Sequence, residues 1–152
     1  MAVGMKWRGD EFLKLVDKQI VAGLYAAAVE LQRLARKKAG VANAGQTVQQ
    51  KNVTEGSNKN SRTIYPNSSK PGESPRRRTG FGQKNIVFGV DESTQVARVG
   101  FTRNARYMTF HELGIRYSKV GFQQRPTIVP ATFENLPRLR AVFQRGTKRI
   151  TL

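Results

Sequence analysis

The chain has 152 residues, 38% of them hydrophobic and none of them cysteine, and it carries 27 Lys and Arg against 10 Asp and Glu for a formal charge of +17. This length suits one domain with one core, and the lack of cysteine excludes both a disulfide framework and a thiolate-held metal. The positive excess goes beyond what solubility requires and points to an anionic partner, either nucleic acid or an acidic protein surface.

From Asp10 onward, Phe12, Leu13, Leu15, Val16, Ile20, Leu24, Val29, Leu31 and Leu34 recur at spacings near three and four, with Lys14, Lys18, Glu30, Arg33, Arg36 and Lys37 between them. That pattern predicts an amphipathic helix of about thirty residues whose stripe packs on a sheet. Asp10 suits its start. Arg36, Lys37 and Lys38, followed by Gly40, suit the end where the helix dipole favours positive charge. The polar face mixes acids with bases, unlike a membrane-surface helix, and the apolar run from Ile20 to Val29 is about half the ~20 residues that span a bilayer. No membrane partner is expected, and synthesis is expected in the cytoplasm.

Residues 41–75 are rich in Gln, Asn, Ser, Gly and Lys. They predict a long polar loop, flexible in the free subunit and ordered only if a neighbour supplies the surface to bury. Arg76, Arg77 and Arg78 follow Pro75, with Lys70 and Lys84 nearby. Their paired N–H donors suit phosphates or carboxylates. Three readings stay open for this run: a solvated charge cluster, a protein interface and a DNA backbone contact.

After Thr79-Gly80, residues 85–90 predict a strand, 91–94 a turn, and 95–101 a second strand antiparallel to the first. Val96 and Val99 are out of phase, so a bulge or bend is expected at Gly100. Met108 to Leu113 predicts a helical turn closed by Gly114, with Tyr107, Phe110 and Leu113 inward and His111 and Glu112 at the surface or facing a neighbouring subunit. Residues 115–126 form a basic, aromatic loop with Arg116, Tyr117, Lys119, Phe122 and Arg125. A last helix is expected from about Ala131 to Arg145, burying Phe133, Leu136, Val142 and Phe143. Pro130 falls in its first turn, Pro137 kinks it or ends its first half, and Gly146 stops it. A basic tail follows at 147–152, able to add an edge strand to a partner. The fold class is α+β: a long N-terminal helix and a C-terminal helix packed on a small antiparallel sheet.

The residue types give little chemistry. His111 is the one histidine, and its neighbour Glu112 cannot face it, because adjacent helical residues diverge. No second His or Cys completes a triad or a metal site. Gly80-Phe81-Gly82 precedes a strand rather than following one, unlike a dinucleotide-binding turn. Asp91, Glu92, Glu112 and Glu134 are too scattered for a two-metal nuclease. The expectation is a chain that is not an enzyme and takes no cofactor or metal.

The order of the pieces is more specific than any one of them. A Pro-Arg-x-x-Thr-Gly element ends at Arg78-Thr79-Gly80 and leads into a hairpin. Tyr107 is followed by Glu112-Leu113-Gly114, and Arg125-Pro126 by Pro130-Ala131 and a final helix. In this order, over about residues 10–146, the chain resembles the small neck, or tail-completion, proteins that join a bacteriophage's DNA-filled head to its tail. It departs from that pattern at Phe81 to Ile86, where a leucine- or arginine-rich turn and Ser-Ile are usual, and at Ile115, where threonine is usual.

The resemblance implies a structural subunit of a closed, commonly six-fold ring in the neck of the virion. The ring would sit between the portal-side connector or stopper and the tail terminator or tail tube, around the channel for genomic DNA. Arginine and aromatic residues are enriched at interface anchors. Arg76, Arg77, Arg78, Arg103, Arg106, Tyr107, Arg116, Tyr117, Phe122 and Arg125 are therefore the candidates for ring contacts or DNA-facing positions. Gly80, Gly114, Pro126 and Pro130 are expected as structural turns. A nucleic-acid-binding protein that grips phosphates directly and a tail-terminator ring are the other two readings.

Overall fold

The computed structural model describes residues 9–40, 69, 72–75, 79–117, 120–121 and 124–148, with 116–117 and 120–121 described by their backbone. Helix α1 runs over Gly9–Ala39, with Asp10 and Glu11 in its first turn and Arg36, Lys37 and Lys38 in its last. Both charge sets complement the helix dipole. The predicted helix is present, and most of its apolar stripe, Leu15, Val16, Ile20, Leu24, Leu31 and Leu34, is half-buried, with Leu31 packed on the core. Its fully buried positions are Gly23, Ala28, Ala35 and Ala39, whereas Phe12, Leu13 and Val29 are exposed. Small residues line the contact because the elements packed on α1 approach its backbone closely.

Gly80 takes φ 75° and opens α2, a single turn over Phe81–Lys84. Such a left-handed backbone favours glycine. Asn85 then clamps the start of the sheet: its Nδ2 donates to the Phe81 carbonyl at 2.9 Å, and its Oδ1 accepts the Thr102 hydroxyl at 2.6 Å. Strands β1 (Ile86–Asp91) and β2 (Val96–Phe101) pair antiparallel without interruption from Ile86↔Phe101 to Asp91↔Val96. Gly100 pairs with Val87 in that ladder, so the expected bulge is absent. Val99 and Phe101, two residues apart, face the core together, and Val96 lies on the other face of the strand.

The hairpin lies along α1 at three levels. Gln32 Nε2 and Arg36 Nη2 each donate to the Ile86 carbonyl at 2.8 Å. Tyr25 meets Phe88 edge-to-face at 6.4 Å. At the turn, Gln95 Nε2 donates to Asp17 Oδ1 at 2.8 Å. The core is the cluster of Ala35, Ala39, Ile86 and Ala131, with Leu31, Val99, Phe101 and Ile128 packed against it.

A 3-10 turn at Arg103–Ala105 leads into α3 (Arg106–Leu113), which Gly114 ends with φ 64°. Within the expected loop 115–126, β3 (Arg116–Tyr117) and β4 (Val120–Gly121) form a minimal antiparallel pair. The expected last helix is two helices, α4 (Ile128–Glu134) and α5 (Leu136–Thr147), divided at Asn135. Pro137 falls in the first turn of α5, where its missing N–H costs nothing, so it begins a helix rather than bending one.

Helix α5 runs antiparallel to α1. Glu134 pairs with Lys38 at 2.6 Å, Arg138 Nε with Glu30 at 2.6 Å, and Gly146 packs on Gly23. The helix ends at Thr147, one residue beyond Gly146. Gly146 is also buried against α1, where an added Cβ would stand 2.9 Å from the Gly23 Cα. Phe133 and Leu136, expected inside, are exposed, and Leu139 is buried in their stead. Among the described residues no helix is long and apolar enough to cross a membrane.

Candidate docking site

Three stretches that the sequence presents separately, residues 72–75, the end of α3 and residues 124–129, meet in space. The Gly72 N–H donates to the Gln124 carbonyl at 2.9 Å, and the Ser74 hydroxyl donates to the Pro126 carbonyl at 2.8 Å. The Arg125 N–H donates to the His111 carbonyl at 2.7 Å, and Gln124 Nε2 to the Glu112 carbonyl at 3.3 Å. Of the expected loop 41–75, Ser69 is buried and residues 72–75 are stitched to 124–126 by these bonds.

Glu112 holds the junction together. Its carboxylate accepts from the backbone N–H of Thr127 at 2.6 Å, Ile128 at 3.2 Å and Val129 at 2.8 Å. The first N–H groups of a helix have no partner within it, and the dipole favours an anion there. Thr127 offers no side-chain cap to α4, so α3 supplies the acceptor from outside. Glu112 is consequently buried at 7% exposure, not at the surface as expected. The sequence carried one signal for this. A capping box starting at Thr127 needs Glu or Gln three residues on, and Pro130 occupies that place.

With Glu112 inside, the rest of α3 is rotated relative to expectation. Met108 is buried against Gly82, where an added Cβ would meet its sulfur at 2.8 Å. Tyr107 and Leu113, expected inward, are exposed. Tyr107 stands edge-on to His111 at 6.4 Å, and the Arg106 guanidinium lies over the half-buried Phe110 ring at 5.6 Å.

The predicted contact residues divide as follows. Arg103 and Arg106 are exposed just before and at the start of α3, Arg125 is half-buried at its end, and Arg116 and Tyr117 form β3. Pro126 accepts Ser74 through its carbonyl, Pro130 sits in the first turn of α4, and Gly80 and Gly114 take the left-handed backbone that their turns require. Arg76, Arg77, Arg78 and Phe122, with most of the 41–75 loop and the end of the tail, lie outside the described residues.

What the sequence did not reveal is the outer face of α4. Val129 and Phe133 lie one turn apart and are both exposed, Phe133 at 72%, and Leu136 and Arg140 are exposed on α5. Charges are paired beside this face. Glu30 joins Arg33 at 2.8 Å and Arg138 at 2.6 Å, and its carboxyl is held below the usual range, first by the hydrogen bond from Arg33. Among the described residues no group of three or more His, Asp or Glu could hold a metal ion. The arrangement offers exposed apolar and cationic side chains on a hydrogen-bonded frame. No protein-family model matches the chain, and neither a curated protein nor a solved structure was found to be similar to it.

Proposed function

We propose that this protein is a structural subunit of a ring in a bacteriophage neck, seated between the portal-side connector or stopper and the tail terminator or tail tube. One observation carries the reading: the chain exposes two separate apolar patches at opposite ends of α1. Phe12 and Leu13 lie at its start, while Val129, Phe133 and Leu136 lie beside its end, where Lys38 holds Glu134. Twenty-six residues of α-helix separate Phe12 from Lys38, about 39 Å at 1.5 Å per residue. Ring subunits associate head to tail, so each needs two unlike surfaces rather than one self-complementary patch. The motif order that resembles neck proteins supports the same reading.

The charge of +17 per copy adds a requirement. Repeated around a ring it is self-repelling, so an acidic neighbouring ring or DNA must stand close. Electron microscopy tests the proposal directly. Particles made without the protein are expected to be filled heads lacking tails, and complete particles to show it as a ring at the neck. Tailed particles in its absence would overturn the proposal. The second reading, a nucleic-acid-binding protein, is favoured by the same charge and separated by its salt dependence.

A further inference from the structure

Helix α5 gathers positive charge on its outward side. Residues 135–152 hold none of the chain's ten acids but carry Arg138, Arg140, Arg145, Lys148 and Arg149. The packed side of α5 is fixed by contact: Leu139 and Gly146 are buried, Val142 and Phe143 are half-buried, and Phe143 and Gly146 lie on Gly23 of α1. Arg140, Gln144, Arg145 and Lys148 are exposed, and the Lys148 backbone is still helical at φ −76° and ψ −10°. At about 3.6 residues per turn, Arg140, Lys148 and Arg145 fall within an arc of about 140° on the side away from that packing. Neighbouring charges do not cancel them. Glu30 and Glu134, the acids at the seam of α1 with α5, are already paired: Glu30 takes both Arg33 at 2.8 Å and Arg138 at 2.6 Å, leaving one surplus positive charge, and Glu134 takes Lys38. Asp10 and Glu11 lie twelve or more residues before Gly23, about 18 Å along α1, and the exposed residues Lys14 and Lys18 come between.

Folding alone explains only part of this pattern. The helix dipole favours Arg145 and Lys148 near the end of α5 but disfavours Arg138 and Arg140 near its start. Glu30 compensates Arg138, whereas Arg140 has no acidic partner among the described residues. The chemistry of the face also selects its partner. Beyond Leu136 at its start, α5 exposes no large apolar side chain, whereas the centre of a protein interface is apolar and depleted of charge. A face of Arg, Gln and Lys without acids suits phosphate oxygens. We propose that the outward face of α5, through Arg140, Arg145 and Lys148, binds the phosphate backbone of duplex DNA. The proposal rests on the neck reading for the source of that DNA, the genome in the channel, and turns α5 toward it.

Two full-length variants of equal charge test it. One combines Arg140→Gln, Arg145→Gln and Lys148→Gln. The other combines Lys84→Gln, Arg98→Gln and Arg103→Gln, which removes three charges from exposed positions on α2, β2 and the 3-10 turn. Thermal melts confirm that both fold, and Arg140→Gln alone serves as the mildest change. Binding of a short labelled duplex is followed by fluorescence anisotropy over a salt series. The α5 variant is expected to lose at least about tenfold in affinity at about 50 mM salt, with a log–log slope shallower by about 2.7, at 0.9 per phosphate contact. Arg140→Gln should lower the slope by about 0.9, and the second variant should change it by less than that. No binding by the wild type at that salt, an unchanged slope in the α5 variant, or an equal fall in the second variant would overturn the proposal. Competition by polyglutamate as effective, charge for charge, as by unlabelled duplex would overturn it as well and assign the face to an acidic protein. Its failure is distinct from that of the neck reading. A ring at the neck whose subunit binds DNA equally well without these three cations refutes this face alone, and α5-dependent binding by a protein missing from the neck refutes that location alone.

Discussion

At the scale of single residues, two carboxylates cap backbone turns. Glu112 supplies an acceptor to three N–H groups at the start of α4. Removing an acceptor from buried donors costs the full desolvation of those donors, so Glu112→Ala should lower stability by about 2–3 kcal/mol in urea unfolding. Glu112→Gln should cost about half as much, since it keeps one carbonyl oxygen but turns an NH2 group toward N–H groups. This role is hard to read in sequence, because an acid beside a helical aromatic reads as a surface residue until its distant partner is known. Asp91 is the local counterpart. Its Oδ1 accepts from the Ser93 hydroxyl at 2.7 Å and from the Ser93 and Thr94 N–H groups, and these bonds, the Ser93 hydroxyl foremost, hold its pKa at about 2 against an ordinary 3.8. A depressed carboxyl stabilises the fold in its charged form, so its contribution is complete above the ordinary value and disappears as pH falls toward about 2. The stability difference between wild type and Asp91→Ala, followed by thermal melts across acid pH, should shrink over that window and flatten below it.

At the scale of elements, α1 and the hairpin were legible, because a long 3.6-residue period with charged ends and a β-rich run around a turn each specify themselves locally. How closely α5 would approach α1 was not. Periodicity counts large apolar side chains, whereas this helix meets α5 through Gly23, Ala26 and Gly146, where the backbones come within reach of each other. A glycine near a predicted helix end reads as a stop, but Gly146 is needed for the close approach. Gly146→Ala therefore sets two effects against each other. Alanine gains about 1 kcal/mol of helix propensity over glycine. Its Cβ, however, would stand 2.9 Å from the Gly23 Cα and 3.1 Å from the Ala22 carbonyl oxygen, both backbone atoms that cannot swing away. Overpacking of this kind costs about 1–3 kcal/mol, so a net loss is expected in thermal melts, larger for Gly146→Val. Gly89→Ala is the matching control, since an added Cβ there meets nothing within 4 Å.

At the scale of the whole molecule, the α+β class followed from the elements alone, whereas the exposed apolar face of α4 emerged only once Glu112 fixed how α3 and α4 meet and left Val129 and Phe133 outside. The charge was legible from composition but not its target, and the two candidate targets differ in how they respond to salt. Between residues 51 and 78 the sequence has Lys51, Lys59, Arg62, Lys70, Arg76, Arg77 and Arg78 against Glu55 and Glu73, so this stretch carries +5 of the +17. A protein that holds duplex DNA through about six such phosphate contacts loses roughly a thousandfold in affinity between 50 and 200 mM salt, with a log–log slope near −0.9 per contact. For a neck subunit the isolated chain should bind duplex DNA at low salt, lose nearly all of it by about 150 mM, and show a shallower slope when Arg76, Arg77 and Arg78 are changed to alanine. Ring association should survive the same salt far better, because the apolar side chains exposed at the two ends of α1, Phe12, Leu13 and Phe133 among them, are not screened. Fluorescence anisotropy with a labelled duplex and sedimentation of the protein alone, run over one salt series, compare the two directly. Tight DNA binding that persists at physiological salt, with association lost first, would make nucleic acid the principal partner and remove the ring as the primary role.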